Sequence, residues 1–315
     1  MIFRGLLAAG LFWVSSALGA DAGLLNLVMP EAKVIAGMDV ARAKSSPFGQ
    51  LFMKNMNLRD EDLARFLALT GFDPARDVTE VVIASVDTNT SAGANSLLLV
   101  RGNFDGGRLR AALVRNGLSV LQVVTGVEML AKKGEKSAVA FVDASLAVAG
   151  DAAAVKAALE RRAGGMGLPA ATYAKAQDMS RENDVWMVTS LPVSQLAEKM
   201  PENAPGQLNG MMKGDMFRSV EQASMGVKFA ATMLHLTMEA AVRSDKDATA
   251  MADVARFLAG MVQLNRDKPE VAGLASAFDS MKLTTQARNV RLTMSMPQAE
   301  IEKLVKRAQP APVKI

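Results

Sequence analysis

The chain has 315 residues, 50% of them hydrophobic, with 36 Lys and Arg against 32 Asp and Glu and a net charge of +4. That excess is too small and too dispersed for a nucleic-acid surface, which needs a basic stripe or patch. The absence of cysteine excludes disulfides, a lipobox, thiolate metal sites, iron–sulfur clusters and a cysteine nucleophile.

Residues 1–22 have the order of a cleaved secretory signal peptide. Arg4 supplies a positive start, residues 5–14 (GLLAAGLFWV) are apolar and uncharged, and Ser15, Ser16, Ala17, Gly19 and Ala20 are small. Signal peptidase has shallow pockets at −3 and −1, so Ala20-Asp21-Ala22 places the cut after Ala22, with a cut after Ala20 as the second choice. The uncharged stretch is shorter than the ~20 residues a spanning helix needs. The mature chain is therefore expected to be periplasmic or secreted, with no transmembrane segment. Losing Arg4 and Asp21 leaves its net charge unchanged.

Residues 24–163 read as a first α+β unit. Residues 34–40 (VIAGMDV) predict a strand that enters a helix near Ala41. Residues 81–87 and 96–104 alternate with period 2 and predict a hairpin, and a helix follows at about 107–116. Residues 138–162 then predict strand, turn, strand and helix, with Asp151 as the N-cap of the helix. The Gly-rich stretch 163–169 and the polar stretch 177–184 flank a join at 164–181.

A second unit is expected over 182–308, with the same order of elements. Residues 185–191 (VWMVTSL) predict a strand, 224–230 and 233–242 a hairpin, and 246–264 a helix with apolar residues at helical spacing. Ser244 and Asp247 suggest a capping box at its start. Residues 282–307 repeat the strand–turn–strand–helix pattern, and from Leu146 and Leu292 onward the two copies align without a gap. Pro297 falls opposite Asp151 at the helix start. The expected fold is α+β: two tandem related units, each an antiparallel sheet with helices packed on one face. Residues 309–315 read as a frayed tail.

Residues 29–34 (MPEAKV), the SPFGQ segment at 46–50, and the strand–Gly–Asp–helix segment from Val148 to Lys156 carry a resemblance. The chain is similar to a group of uncharacterised exported bacterial proteins of acidobacterial type. It is loosely similar to a wider bacterial family of unknown function with duplicated α+β units. The resemblance implies this fold and export; it implies no activity, and it transfers no site residue.

Catalytic constellations are missing from the sequence. The single histidine, His235, lies mid-strand, on the same face as Met233, Thr237, Glu239 and Ala241; Leu234, Leu236, Met238, Ala240 and Val242 take the other, more apolar face. It reads as a polar residue on the open face of a sheet. Zinc hydrolysis normally needs several imidazoles, and neither H-E-x-x-H nor G-x-S-x-G is present. Carboxylates such as Asp60, Glu61 and Asp62 lie in polar stretches. Asp105-Gly106-Gly107 and Gly150-Asp151 read as caps and turns, because an Asp at a helix start repels phosphate. Asn89-Thr90-Ser91 is a polar hairpin tip. Lys132, Lys133 and Lys136, the pair Arg161 and Arg162, and Lys303 with Lys306 and Arg307 are local basic groups, two of which sit at helix ends.

Methionine is abundant, at 21 residues, while aromatics make up only 5%. Met211, Met212 and Met216, with Met200 upstream, are the candidate ligand-binding residues. Thioethers repack around varied apolar partners and are soft enough for Cu(I). Packing is the plainer role for them, and for Met225, Met233, Met238, Met251, Met261, Met294 and Met296. The expected function is a non-enzymatic binding or interaction module of the cell envelope, with no cofactor and an unknown envelope component or protein as partner. The alternatives are a hydrolase with a non-motif site and a Met-rich carrier of apolar ligand or copper.

Overall fold

The structure is a computed structural model and describes residues 22–47, 49–50, 70–87, 95–162, 164, 167–191, 218–267 and 276–300. In chain order the described strands are β1 Val34–Asp39, β2 Val78–Ser85, β3 Ser96–Gly102, β4 Leu118–Val124, β5 Val127–Lys132 and β6 Ser137–Phe141. They continue as β7 Leu146–Asp151, β8 Val185–Thr189, β9 Val220–Phe229, β10 Met233–Val242, β11 Lys282–Gln286 and β12 Asn289–Pro297. The described helices are α1 Ala22–Leu25, α2 Val40–Lys44, α3 Pro74–Asp77, α4 Gly106–Arg115, α5 Ala152–Arg162, α6 Ala170–Glu182 and α7 Asp245–Leu264.

All twelve strands form one sheet, in the order β11-β12-β10-β9-β8-β1-β2-β3-β7-β6-β5-β4. Every neighbouring pair is antiparallel. The fold is therefore α+β, built on a large antiparallel sheet. β1 and β8, the strands predicted at 34–40 and 185–191, pair with each other and join the two parts (Val34 opposite Thr189, Met38 opposite Val185). Outward from this seam the order is β1-β2-β3-β7-β6 on one side and β8-β9-β10-β12-β11 on the other, with the β4–β5 hairpin added beyond β6. Helix α5 begins at Ala152, directly after β7, and helical backbone begins at residue 298, directly after β12. These are the equivalent positions of the ungapped alignment.

Local chemistry explains these elements. Asp151 Oδ1 accepts hydrogen bonds from the backbone N–H of Ala153 (2.9 Å) and Ala154 (3.3 Å), which caps α5. Ser244 Oγ accepts from the Asp247 N–H at 3.1 Å and donates to its carboxylate at 2.7 Å, so the start of α7 is side-chain capped. The β4–β5 hairpin turns at Thr125 and Gly126, both at positive φ (49° and 83°), as a two-residue mirror-image turn requires. The expected join at 164–181 carries α6, which packs on β8, β9 and β1.

The helices lie on both sides of the sheet. Helices α5 and α6 and residues 24–29 cover one face, where Ile35, Val82, Leu97, Leu99, Val148 and Trp186 are buried. Leu24, Leu25 and Val28 are fully buried there; each side chain removed from water contributes about 1.5–3 kcal/mol. Helix α7 lies on the other face: its Ala248 and Met251 pack with Val220, Val242 and Val290. Helix α4 also lies on that face, where Arg110 pairs with Glu128 and a Cβ on Gly106 would touch Phe141. Strands near the seam are apolar on both faces, so each face needs cover.

Two features fasten the seam. The indole of Trp186 lies over Gly37, where a Cβ would sit 2.5 Å from Cε2; only glycine leaves that space. Arg42 in α2 reaches across to the end of α6. Its guanidinium donates to the carbonyls of Ser180 (2.8 Å), Asn183 (2.9 Å) and Arg181 (3.3 Å), and to Asp39 Oδ2 (2.6 Å). It also lies 3.3 Å from Asp184 Oδ1. Asp184 is only 3% exposed, and its other oxygen accepts the Phe229 N–H at 2.7 Å.

Candidate functional site: an apolar face across the sheet

On the α4/α7 face, cross-strand registers align apolar residues into rows. One row runs through all twelve strands: Leu283, Leu292, Met238, Met225, Met187 and Ala36 continue into Ile83, Leu98, Ala149, Val139, Leu130 and Val120. A parallel row two residues along the strands runs from Met294 through Leu236, Val227, Val185, Met38, Val81, Val100 and Ala147 to Phe141. Strands lie about 4.8 Å apart, so nine of them make a band roughly 40 Å long. From β10 to β3 the side chains of both rows are half-buried, except Met225, which is 40% exposed. Among the described residues, α7 lies at one end of this band and α4 at the other.

The band carries no charge and no hydroxyl, so it offers apolar contact without hydrogen-bond selection. Met187, Met225 and Met238 are successive cross-strand neighbours on β8, β9 and β10. Unbranched thioethers adopt many rotamers, which lets such a surface adapt to differently shaped apolar partners. The same sulfurs are soft donors.

The opposite face of β9–β12 is polar. Glu239 accepts from Lys175 of α6 (2.6 Å) and from Arg291 (2.9 Å), and Arg291 reaches Glu182 at 2.7 Å. The hydrogen bond from Arg291 to Glu182 is the largest factor raising the guanidinium pKa above its usual value. This network ties α6 to the sheet. His235 lies on this face as its alternation predicts: it is exposed, with Nδ1 at 2.8 Å from Ser295 Oγ. Among the described residues no group of three or more His, Asp or Glu could hold a metal ion.

One polar hollow of about 280 Å³ lies beside α3 and α4, lined by Gly71, Phe72, Arg76, Asp77, Asp105 and Arg108 among others. Its carboxylates are engaged. Asp105 caps α4 by accepting the Arg108 N–H at 3.0 Å. Asp77 accepts from Arg76 at 2.6 and 2.7 Å and from the Asp73 N–H at 2.9 Å. The Arg76 hydrogen bond, then the backbone one, holds the Asp77 carboxyl down at about 2. Asp77 therefore stays ionised near neutral pH.

Met211, Met212 and Met216 lie outside the described residues, as do Met200, the Asn89 tip and Asp60, Glu61 and Asp62. The apolar band leaves no mark in the sequence, because each strand shows only its own alternation. The rows exist only once the registers are fixed.

No family model and no curated protein matches the chain. Among solved structures it is similar to TP0453, a Treponema protein. Crystal form III aligns with a TM-score of 0.53 at 10% identity, over 91% of this chain and 99% of that one. Form IV gives 0.52 at 8% identity, over 89% and 95%, and form I gives 0.50 at 9%, over 91% and 98%. Likeness at this identity shows a shared fold, and TP0453 has it over nearly its whole length. No helix among the described residues is long and apolar enough to cross a membrane.

Proposed function

We propose that this chain is an exported, non-enzymatic binding protein of the cell envelope, holding an apolar partner on the α4/α7 face of its sheet. The observation that carries the reading is the double row of half-buried apolar residues through the seam, with exposed Met225 on β9, the second strand out from the seam. An apolar band without a polar interruption, open to solvent at Met225, fits a contact site. The engaged carboxylates and the single exposed imidazole support binding over hydrolysis.

Export rests on residues 1–22 and on one fact about the core. Among the described residues burial begins at Leu24 and Leu25, just after the expected cut, so cleavage after Ala22 keeps these core residues in the mature chain. The matching strand orders on either side of the seam support descent of the two parts from one duplicated unit. Kinship with the exported acidobacterial-type proteins belongs to the same reading.

A second reading, a Cu(I) carrier, is favoured by the adjacency of Met187, Met225 and Met238 alone. Native mass spectrometry of the mature protein, taken directly from the envelope fraction, separates the two. An apolar adduct that organic extraction removes is expected. A copper adduct favours the second reading, and bare protein contradicts both.

A further inference from the structure

We propose that a second copy of this chain pairs with the free edge of β4, joining two sheets into one. Among the described residues, strand β4 is the outermost strand on its side of the sheet. It shows three large apolar side chains to solvent: Val123 at 61%, Leu121 at 53% and Val120 at 42% exposure. Helix α4, packed against the same strand, adds exposed Val114. Edge strands are commonly guarded by lysine, proline or inward charge. β4 has none of these, and its one irregularity is the register shift between Val120 and Gln122.

The occupant follows from charge and symmetry. Residues 116–127 (NGLSVLQVVTGV) contain no charged side chain, so antiparallel pairing of this run with itself sets no charge against its like. An isologous two-fold contact needs that self-complementarity. Val120 and Val123 lie on the same face, being paired with Leu130 and Glu128 of β5. A dyad between Leu121 and Gln122 sets Val120 of one copy opposite Val123 of the other, twice. That dyad stands perpendicular to the sheet, so the apolar faces of both copies share one side and the row ending at Val120 continues into the second molecule. The opposite edge, β11, presents Lys282, two threonines and Gln286, which suits solvent.

Sedimentation of the mature chain at micromolar concentrations is expected to show a dimer. Val123→Lys places a charge opposite an apolar partner and is expected to raise the dissociation constant by about tenfold or more, with an unchanged circular-dichroism spectrum because the side chain is exposed. The chain has no cysteine, so Leu121→Cys and Lys282→Cys are single thiols. A short bis-maleimide should link the first into dimers and leave the second monomeric. A monomer at high concentration, a dimer indifferent to Val123→Lys, or equal cross-linking at both edges would overturn the proposal.

Discussion

Gly150→Ala is expected to lower the stability of the chain by about 3 kcal/mol or more. Gly150 sits at φ 142°, a conformation that L side chains rarely adopt. A Cβ there would land on the Ser96 carbonyl oxygen and lie 3.1 Å from Leu97 Cα. These are backbone atoms of β3, which is paired on both sides, and Leu97 and Leu99 beside them are fully buried. Relief would have to move a strand in the centre of the core, where packing is dense and strain spreads. Urea denaturation measures the loss. Gly260→Ala in α7 is the contrast: a Cβ there meets nothing within 4 Å, and the change is expected to stabilise by roughly 0.5–1 kcal/mol through helix propensity. Equal effects at the two sites would show that close backbone approach does not fix Gly150.

Arg42→Ala is expected to cost about 3 kcal/mol, at the lower end of the range for removing one partner of a buried ion pair. Arg42 itself is partly exposed, but Asp184 is buried and would lose its cation. Three carbonyls at the end of α6 would lose their donor as well. Arg42→Lys should recover little, since an ammonium cannot reproduce the planar fork that reaches three carbonyls and a carboxylate together. A shift in the urea midpoint corresponding to less than about 1 kcal/mol would mean that the guanidinium does not fasten the seam.

Much of the local structure was legible in the sequence, because its causes are local. The β10 strand, the Ser244 cap and the Asp151 cap follow from alternation and side-chain chemistry within a few residues. So does the placing of His235 on the polar face. The pairing of β1 with β8 is different. It joins residues about 150 positions apart and leaves no mark in either strand's own pattern. The Arg42–Asp184 clasp is hidden for the same reason. Helix α6 was obscured by its composition: its buried residues are Ala176, Met179 and Ser180, which give a weak apolar stripe. The β4–β5 hairpin turns at Thr-Gly, a fainter signal than Asn-Gly or Asp-Gly. For the candidate site, methionine abundance pointed toward thioether surfaces. Their alignment on one face became visible only through the registers of β8, β9 and β10.

The central claim is that the α4/α7 face of the sheet binds an apolar partner. Titration of the mature chain with a fluorescent apolar probe, N-phenyl-1-naphthylamine, tests it most directly when two substitutions in β9 are compared. Met225→Glu puts a carboxylate at the exposed position of the band and is expected to weaken probe binding by about tenfold, because a charge is costly against an apolar ligand. Lys228→Glu reverses a charge on the opposite face, opposite His235, and is expected to leave binding as it is. Saturable binding lost only in Met225→Glu is the predicted result; no saturable binding, or the same affinity in both variants, would contradict the account.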